Sequence, residues 1–388
     1  MTINRSHYGE SPLVIFQRWQ MNLNDLPPKE DVYSGKKAWV YNSVEAPTNH
    51  ARNEELGQLF AYRWTNWLNA DFVESYFQPG LGPDSFIEKV LRPPLMTLEK
   101  KNALRLRSQD NKRGLAPVAW IVSNCDSVSG RHFFVYQLRK YVDVDIYGRD
   151  GDEFTNEEIT AQYKFYLAFE NNNCDDYVTE KLLRAYEVGA IPIVDGPSDY
   201  SRFDATGNAV LQSDYFDNSP KKLGRYIQQL DQDDTLYLDR LRYKVPKDPH
   251  YTPTTKDLSR VFLRTWANNG SESVWGPDNH GAECGVCELA HDLKEGLVKL
   301  DMGKKIGVDR TCVMNKHKHI TWILEYNWFI TLPVLLVIAL VIYVLVRRPI
   351  QRFVLVTLYA ILPSGWIPRK YSHLDQSYEY SNPMQLIN

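Results

Sequence analysis

Tyr177, Glu180 and Lys181 fall within one short stretch of YKFYLAFENNNCDDYVTEKLLRAYEVGAIPIVDGPSDY, the segment from Tyr163 to Tyr200. That segment reads as strand, polar loop, helix, glycine stop and strand. A helix beginning near Val178 offers its first N–H groups and the positive end of its dipole to a ligand, which favours an anion. Lys181 adds a full positive charge there. Glu180 can accept two hydrogen bonds from a diol, and Tyr177 can stack on a ring or donate to a phosphate. Asp175 or Asp176 suits the start of the helix, and Gly189 suits a left-handed stop at its end. Arg131 opens another helix after the apolar run VAWIV and an SNC loop, where a guanidinium can grip two phosphate oxygens at once. Glu45 follows a third apolar run, AWVY, in a turn before Pro47.

These side chains need a frame, and the pattern of apolar runs supplies one. LVIF (Leu13 to Phe16), AWVY (Ala38 to Tyr41), VAWIV (Val118 to Val122), Val142 to Tyr147, FYLAF (Phe165 to Phe169) and IPIV (Ile191 to Val194) read as buried strands. Helical stretches are expected at Arg131 to Lys140, Val178 to Val188, Lys221 to Leu230, Thr235 to Lys244 and Lys256 to Trp266. Strands spaced by helices imply βαβ units and parallel sheets, which bind ligands beyond the carboxyl ends of their strands. Glu45, Asn124 and the loop from Glu170 to Tyr177 all follow such ends. The charged stretch from Lys100 to Arg113 reads as a linker between two halves. The 388 residues suit about two domains. With 45 Lys and Arg against 48 Asp and Glu, the net charge of −3 excludes a polybasic nucleic-acid binder.

AFENNNCDDYVTEK resembles the signature of the α-1,3-fucosyltransferases, glycosyltransferase family 10, usually written FEN-S-x-C-x-DYVTEK. The likeness extends upstream to AWIVSNC with Arg131 and to VDIYG, and downstream through IPIVDGPSDY and SPKKLGRYI. It covers roughly Leu13 to Cys287. The resemblance implies a GT-B α/β fold, with two Rossmann-like domains facing a cleft. Residues 1–110 would form the acceptor side and residues 114–300 the GDP-fucose-binding domain. It further implies that Tyr177, Glu180 and Lys181 contact the nucleotide sugar, that Arg131 binds its diphosphate, and that Asn173 belongs to the same loop. Inverting sugar transfer needs a carboxylate to take the acceptor proton. SVEAPTNH resembles the family's FESP-type motif, which makes Glu45 the base, although Val44 replaces Phe and Ala46 replaces Ser. The acceptor-side block departs further: FAYRWTNWLNADF stands where the family has a sequence near NWTMTYRRDSD. Three readings follow. The first is an inverting fucosyltransferase giving an α-1,3 linkage on a glycan. The second is a non-catalytic membrane protein that binds glycans or nucleotide sugars, and the third a fucosyltransferase relative acting on protein Ser or Thr.

No Asp-x-Asp metal motif lies near this site. Asp143 and Asp145 alternate in a strand and read as solvent-facing. The leaving diphosphate is therefore expected to be stabilised by Arg131, Lys181 and a helix N-terminus, with no cofactor required and Mn or Mg at most stimulatory. His280, Cys284, Cys287 and His291 have ligand types that suit zinc, but a disulfide or structural pair at Cys284 and Cys287 is the preferred reading. WFITLPVLLVIALVIYVLV (328–346) carries no charge and reads as a transmembrane helix, with a juxtamembrane stem at 301–327 and a tail at 347–388. In the stem, Lys316-His317-Lys318-His319 reads as solvated. Arg347, Arg348 and Arg352 favour the cytosolic side, and with sequons at Asn4 and Asn269 they lead to the expectation of a Golgi membrane protein with a luminal catalytic region. The opening MTINRSHYGESPLVIF lacks a translocation signal, so a truncated start or C-terminal anchoring is expected.

Overall fold

The computed structural model describes residues 5–17, 21–22, 24–46, 58–77, 85–105, 114–124, 127–148, 155–244, 253–266, 282–300, 312–313, 316–317, 335–338, 340 and 343. The chain divides into two compact units, Met1–Lys318 and His319–Asn388. The first unit contains two parallel sheets.

The first sheet comprises β1 (Leu13–Gln17), β2 (Ala38–Ser43), β3 (Tyr62–Thr65) and β4 (Phe72–Val73), hydrogen-bonded in that order, with α1 (Lys29–Tyr33) between β1 and β2. Side chains alternate across a strand, and β2 buries both sets. Trp39 and Tyr41 pack with Val32, Leu59 and Phe60, while Ala38 and Val40 pack with Tyr62, Trp64 and Phe72. A strand buried on both faces reads as an unbroken apolar run, which is why AWVY was legible. After β4 come α2 (Phe86–Leu91) and α3 (Leu98–Arg105).

The second sheet follows as β5 (Val118–Ile121), α4 (Arg131–Leu138), β6 (Val144–Tyr147), α5 (Asn156–Ala161), β7 (Phe165–Phe169), α6 (Glu180–Val188), β8 (Ile191–Asp195) and β9 (Leu211–Gln212). The strands run parallel in the order β6-β5-β7-β8-β9. The order reverses between β5 and β7, and in open α/β sheets that crevice is where ligands bind. α6 ends at Gly189, whose φ of 76° is left-handed. Its chain then turns directly into β8. Helices α7 (Pro220–Gln232), α8 (Asp234–Arg240) and α9 (Arg260–Trp266) complete this half.

The last helix of this unit among the described residues, α10 (Ala282–Glu295), lies in the stretch expected with the second half. Yet its buried face, Ala282, Val286 and Leu289, packs with the first sheet's Ala38, Val40, Trp64 and Phe72. The two halves are therefore joined by a chain that returns to where it began.

Most of the expected membrane span at 328–346 lies outside the described residues. Residues 335–338, 340 and 343 are helical, and their apolar side chains, from Leu335 to Tyr343, are exposed. Among the described residues no helix is long and apolar enough to cross a membrane. Asn4, Asn269, His280, Lys318, His319 and the tail at 347–388 lie outside the described residues.

Candidate active site

The site grows from the crevice between β5 and β7. Gly130, with a φ of 75°, turns the chain sharply so that Arg131 opens α4. The Arg131 guanidinium donates from Nη1 to the Phe169 carbonyl at 2.7 Å and from Nη2 to the Asn124 carbonyl at 3.1 Å. Arg131 thus joins the carboxyl ends of β5 and β7, and it lies 5.9 Å from the Trp120 ring centroid. It stands where the sequence placed it, but it is buried and already serves the fold.

Glu170, the first residue after β7, is fully buried. It accepts from Thr179 N at 2.8 Å, from Thr179 Oγ1 at 3.0 Å and from Lys181 Nζ at 2.9 Å. Burial pushes the Glu170 carboxyl up, against the pull of those donors. Burial also disfavours a charged Lys181, but Glu170 and Glu180 outweigh it and hold the ammonium above its ordinary range. Lys181 Nζ lies 3.4 Å from Glu180 Oε1 as well, and the positive charge of Arg131 is close enough to act on it. Glu180 is solvent-facing at 48% side-chain exposure, against 19% for Lys181. For Glu180, burial raises the carboxyl, but Lys181 and hydrogen bonds at the helix start bring it below the usual range.

Neither Asp175 nor Asp176 caps α6. Thr179 occupies the cap position, and Glu170 receives its backbone N–H. Asp176 is instead left-handed, with a φ of 58°, and its Oδ2 accepts from Leu68 N at 3.1 Å. The reason is distance in sequence: the loop makes its bond to the first half of the chain, 108 residues away.

Tyr177 makes the second link between the halves. Its hydroxyl donates to Glu45 Oε2 at 3.4 Å. Burial first, then Glu170, Glu45 and other neighbours, push the phenol far up, so it remains a protonated donor. Glu45 sits in the loop after β2, where its backbone N–H donates to Ser43 Oγ at 3.2 Å. Tyr76, from the loop after β4, lies among the same acids; burial and the charges of Glu180, Glu45, Glu170 and Glu74 push its hydroxyl up too. Asn173 is buried deeper, with Nδ2 donating to the Ser129 carbonyl at 3.3 Å. The structure therefore brings Glu45 to Tyr177 and Glu180 to Lys181, places Arg131 nearby, and packs Asn173 behind them.

Several residues were not singled out by sequence. Glu170 is the Glu of the FENN run, and a carboxylate directly after a buried strand was its only mark. Asp195, the last residue of β8, accepts from Lys316 Nζ at 2.9 Å and lies 2.7 Å from His317 Nε2. Lys316 and His317 are thus not a solvated stem, because a buried acid recruits them. Asp145 is not simply solvent-facing: it accepts from Ala116 N at 2.8 Å and from the Tyr163 hydroxyl at 3.0 Å. Cys284 and Cys287 form no disulfide; both are free and exposed, because α10 turns Val286 and Leu289 inward instead. Cys174 pairs with Cys312. Among the described residues, no group of three or more His, Cys, Asp or Glu is arranged to hold a metal ion.

Two parallel α/β sheets, with a basic and carboxylate-rich crevice at the carboxyl end of one and a carboxylate from the other meeting it, define the class of this protein. Residues 110–267 match the family described as glycosyltransferase family 10 (fucosyltransferase), C-terminal part. The chain is 31% identical over 313 residues to GDP-fucose protein O-fucosyltransferase 3 of Xenopus tropicalis, covering 74% of this chain and 61% of that protein. It is 34% identical over 285 residues to human 3-galactosyl-N-acetylglucosaminide 4-alpha-L-fucosyltransferase, covering 71% of this chain and 72% of that one. A crystal structure of alpha1,3-fucosyltransferase with GDP aligns at a TM-score of 0.43 and 18% identity, covering 75% of this chain and 80% of that one. The chain belongs to glycosyltransferase family 10. It spans about three-fifths of the length of the O-fucosyltransferase 3 relatives.

Proposed function

We propose that the chain is an inverting fucosyltransferase that moves L-fucose from GDP-β-L-fucose to a glycan hydroxyl, giving an α-1,3 linkage. One observation carries the reading. The Glu45 carboxylate of the first half meets the Tyr177 hydroxyl of the second at 3.4 Å, four residues before Lys181. A carboxylate thus faces the place where an anionic donor would lie. In this reading the acceptor oxygen attacks the anomeric carbon from the Glu45 side. Its proton passes to the Glu45 carboxylate as the bond to the β-phosphate oxygen breaks, and GDP leaves toward Arg131, Lys181 and the start of α6. Fixed positive charge there stabilises the departing diphosphate. Glu180 receives the ribose hydroxyls, and Asn173 supports the loop.

The two halves correspond to the acceptor and donor domains of a GT-B enzyme. The apolar stretch 328–346 anchors it, with the catalytic part in the Golgi lumen. A second reading, transfer to a protein Ser or Thr hydroxyl, is favoured by the match to relatives named protein O-fucosyltransferase 3. Incubation with radiolabelled GDP-fucose over a glycan array and over unglycosylated protein acceptors decides. Label on glycans supports the first reading, and label on protein alone supports the second. GDP binding without transfer to either class removes both.

A further inference from the structure

Four described residues beyond α10 return to the carboxyl end of the second sheet. Cys312 is disulfide-bonded to Cys174 in the β7–α6 loop. The Val313 N–H donates to the Asn173 carbonyl at 2.7 Å. Lys316 Nζ donates to Asp195 Oδ1 at 2.9 Å and to Asp214 Oδ2 at 2.8 Å. His317 Nε2 lies 2.7 Å from Asp195 Oδ2, and its ring packs 4.7 Å from that of Phe134 on α4. These contacts reach the ends of β7 and β8, the turn after β9, and α4.

The anchor is strong because Asp195 is fully buried. Burial raises its carboxyl, but His317, Lys316 and the Ser213 hydroxyl at 2.6 Å hold it below the usual range, so it stays ionised. A buried carboxylate stripped of its cation is costly, and that cost keeps Lys316 in place.

The other tie bears on the site. Cys174, Cys312, Tyr177 and Ala46 pack together in one cluster. Ala46 adjoins Glu45, so the disulfide packs beside the residues that bring Tyr177 to Glu45. Asn173, held by Val313, keeps a buried Oδ1 with no hydrogen-bond partner among the described residues.

We propose that Cys312, Val313, Lys316 and His317 form a wall of the donor site, with Cys312, Lys316 and His317 as positioning residues that hold Asn173 and Tyr177 in register for the nucleotide. This rests on the donor-binding reading above. It adds that the pocket is completed by a segment more than a hundred residues beyond its loop.

The test titrates GDP calorimetrically onto the full wild-type chain, a Cys174→Ser/Cys312→Ser double variant, and Asp195→Asn. GDP affinity is expected to fall tenfold or more in both variants. The KM for GDP-fucose should rise in step, while the KM for the acceptor stays unchanged. Leu230→Ala removes core packing beside Asp231, which pairs with Lys164 at the opposite end of β7. It should lower thermal stability without weakening GDP, which separates positioning from general damage. Wild-type GDP affinity in both tether variants overturns the wall and leaves the enzyme reading standing; a wild-type chain that does not bind GDP overturns both. If the variants do not fold, hydrogen exchange on the wild-type protein decides. GDP should slow exchange of the Val313 amide about tenfold, and an unchanged rate overturns the proposal.

Discussion

The Tyr177 hydroxyl and the Glu45 carboxylate meet at 3.4 Å across 132 residues of sequence, each at the carboxyl end of a different parallel sheet. Glu45→Gln keeps the shape and removes the base. Transfer should fall by about 10²–10⁴, the usual share of general base catalysis, with GDP affinity unchanged by calorimetry. Tyr177→Phe removes one hydrogen bond to a charged group, worth about 1.5–3 kcal/mol. Its kcat/KM should drop roughly tenfold to a hundredfold, and a value within twofold of wild type would show that the contact plays no part.

Lys181 and Glu170 form a pair in which the acid is fully buried and the amine mostly so. Lys181→Ala leaves that acid without its cation, and losses of about 3–5 kcal/mol follow when one partner of such a pair is removed. Urea melts should show a loss near the lower figure, because Thr179 still donates, and transfer should be abolished. Adding Glu170→Gln should recover most of the stability and none of the GDP binding. Recovery of both would assign Lys181 to the fold alone.

Lys101 is buried and donates to the Tyr163 carbonyl at 2.8 Å and to the Gly189 carbonyl at 2.7 Å. Burial, with Lys244 and Lys164 nearby, pushes its amine down to about 7. Burial does the same to Lys244, also to about 7. In the unfolded chain both titrate near their ordinary value of about 10.4. From pH 7 upward the unfolded state therefore binds more protons than the folded one, and stability should rise with pH until about 10. Lys101→Met should remove part of that rise. Subtracting its melting curves from wild type between pH 6 and 10 should leave a slope confined to this window; a flat difference rejects the assignment.

Gly189 ends α6 with a φ of 76°, and a Cβ there would stand 2.7 Å from Pro94 Cβ. Gly189→Ala meets both a strained backbone and a ring that cannot retreat easily. A loss of about 2 kcal/mol or more is expected from backbone strain and overpacking together. Denaturant midpoints measure it, and a loss under half that value would mean that the Pro94 segment moves aside.

Six strands were legible because each carries a short, mostly apolar run; β7 and β8 are buried on both faces throughout, whereas β1 is half-buried and β6 alternates around Asp145. β3, β4 and β9 were not, since YRWT, FV and LQ are too short or too polar to carry a period. Their existence depends on the register that a neighbouring strand offers. The site divides the same way. Tyr177, Glu180 and Lys181 share one loop and helix start, so their nearness to one another was readable from the sequence, while their roles rested on the family resemblance. The partners of Asp176, Asp195 and Cys174 lie 108, 122 and 138 residues away, and nothing local announces such a pairing. Lys316 and His317 look like surface residues until the buried Asp195 they contact is known.

The Cys174–Cys312 link also sets a schedule for biosynthesis. At about 5–20 residues per second, Cys174 leaves the ribosome roughly 7–28 s before its mate, 138 residues later. Throughout that wait its thiol can capture Cys125, and later Cys284 or Cys287, which are made sooner than Cys312. Correct oxidation must come after elongation has passed residue 312, or early mispairings must be reshuffled by an isomerase, so the yield of native protein is tied to the timing of translation.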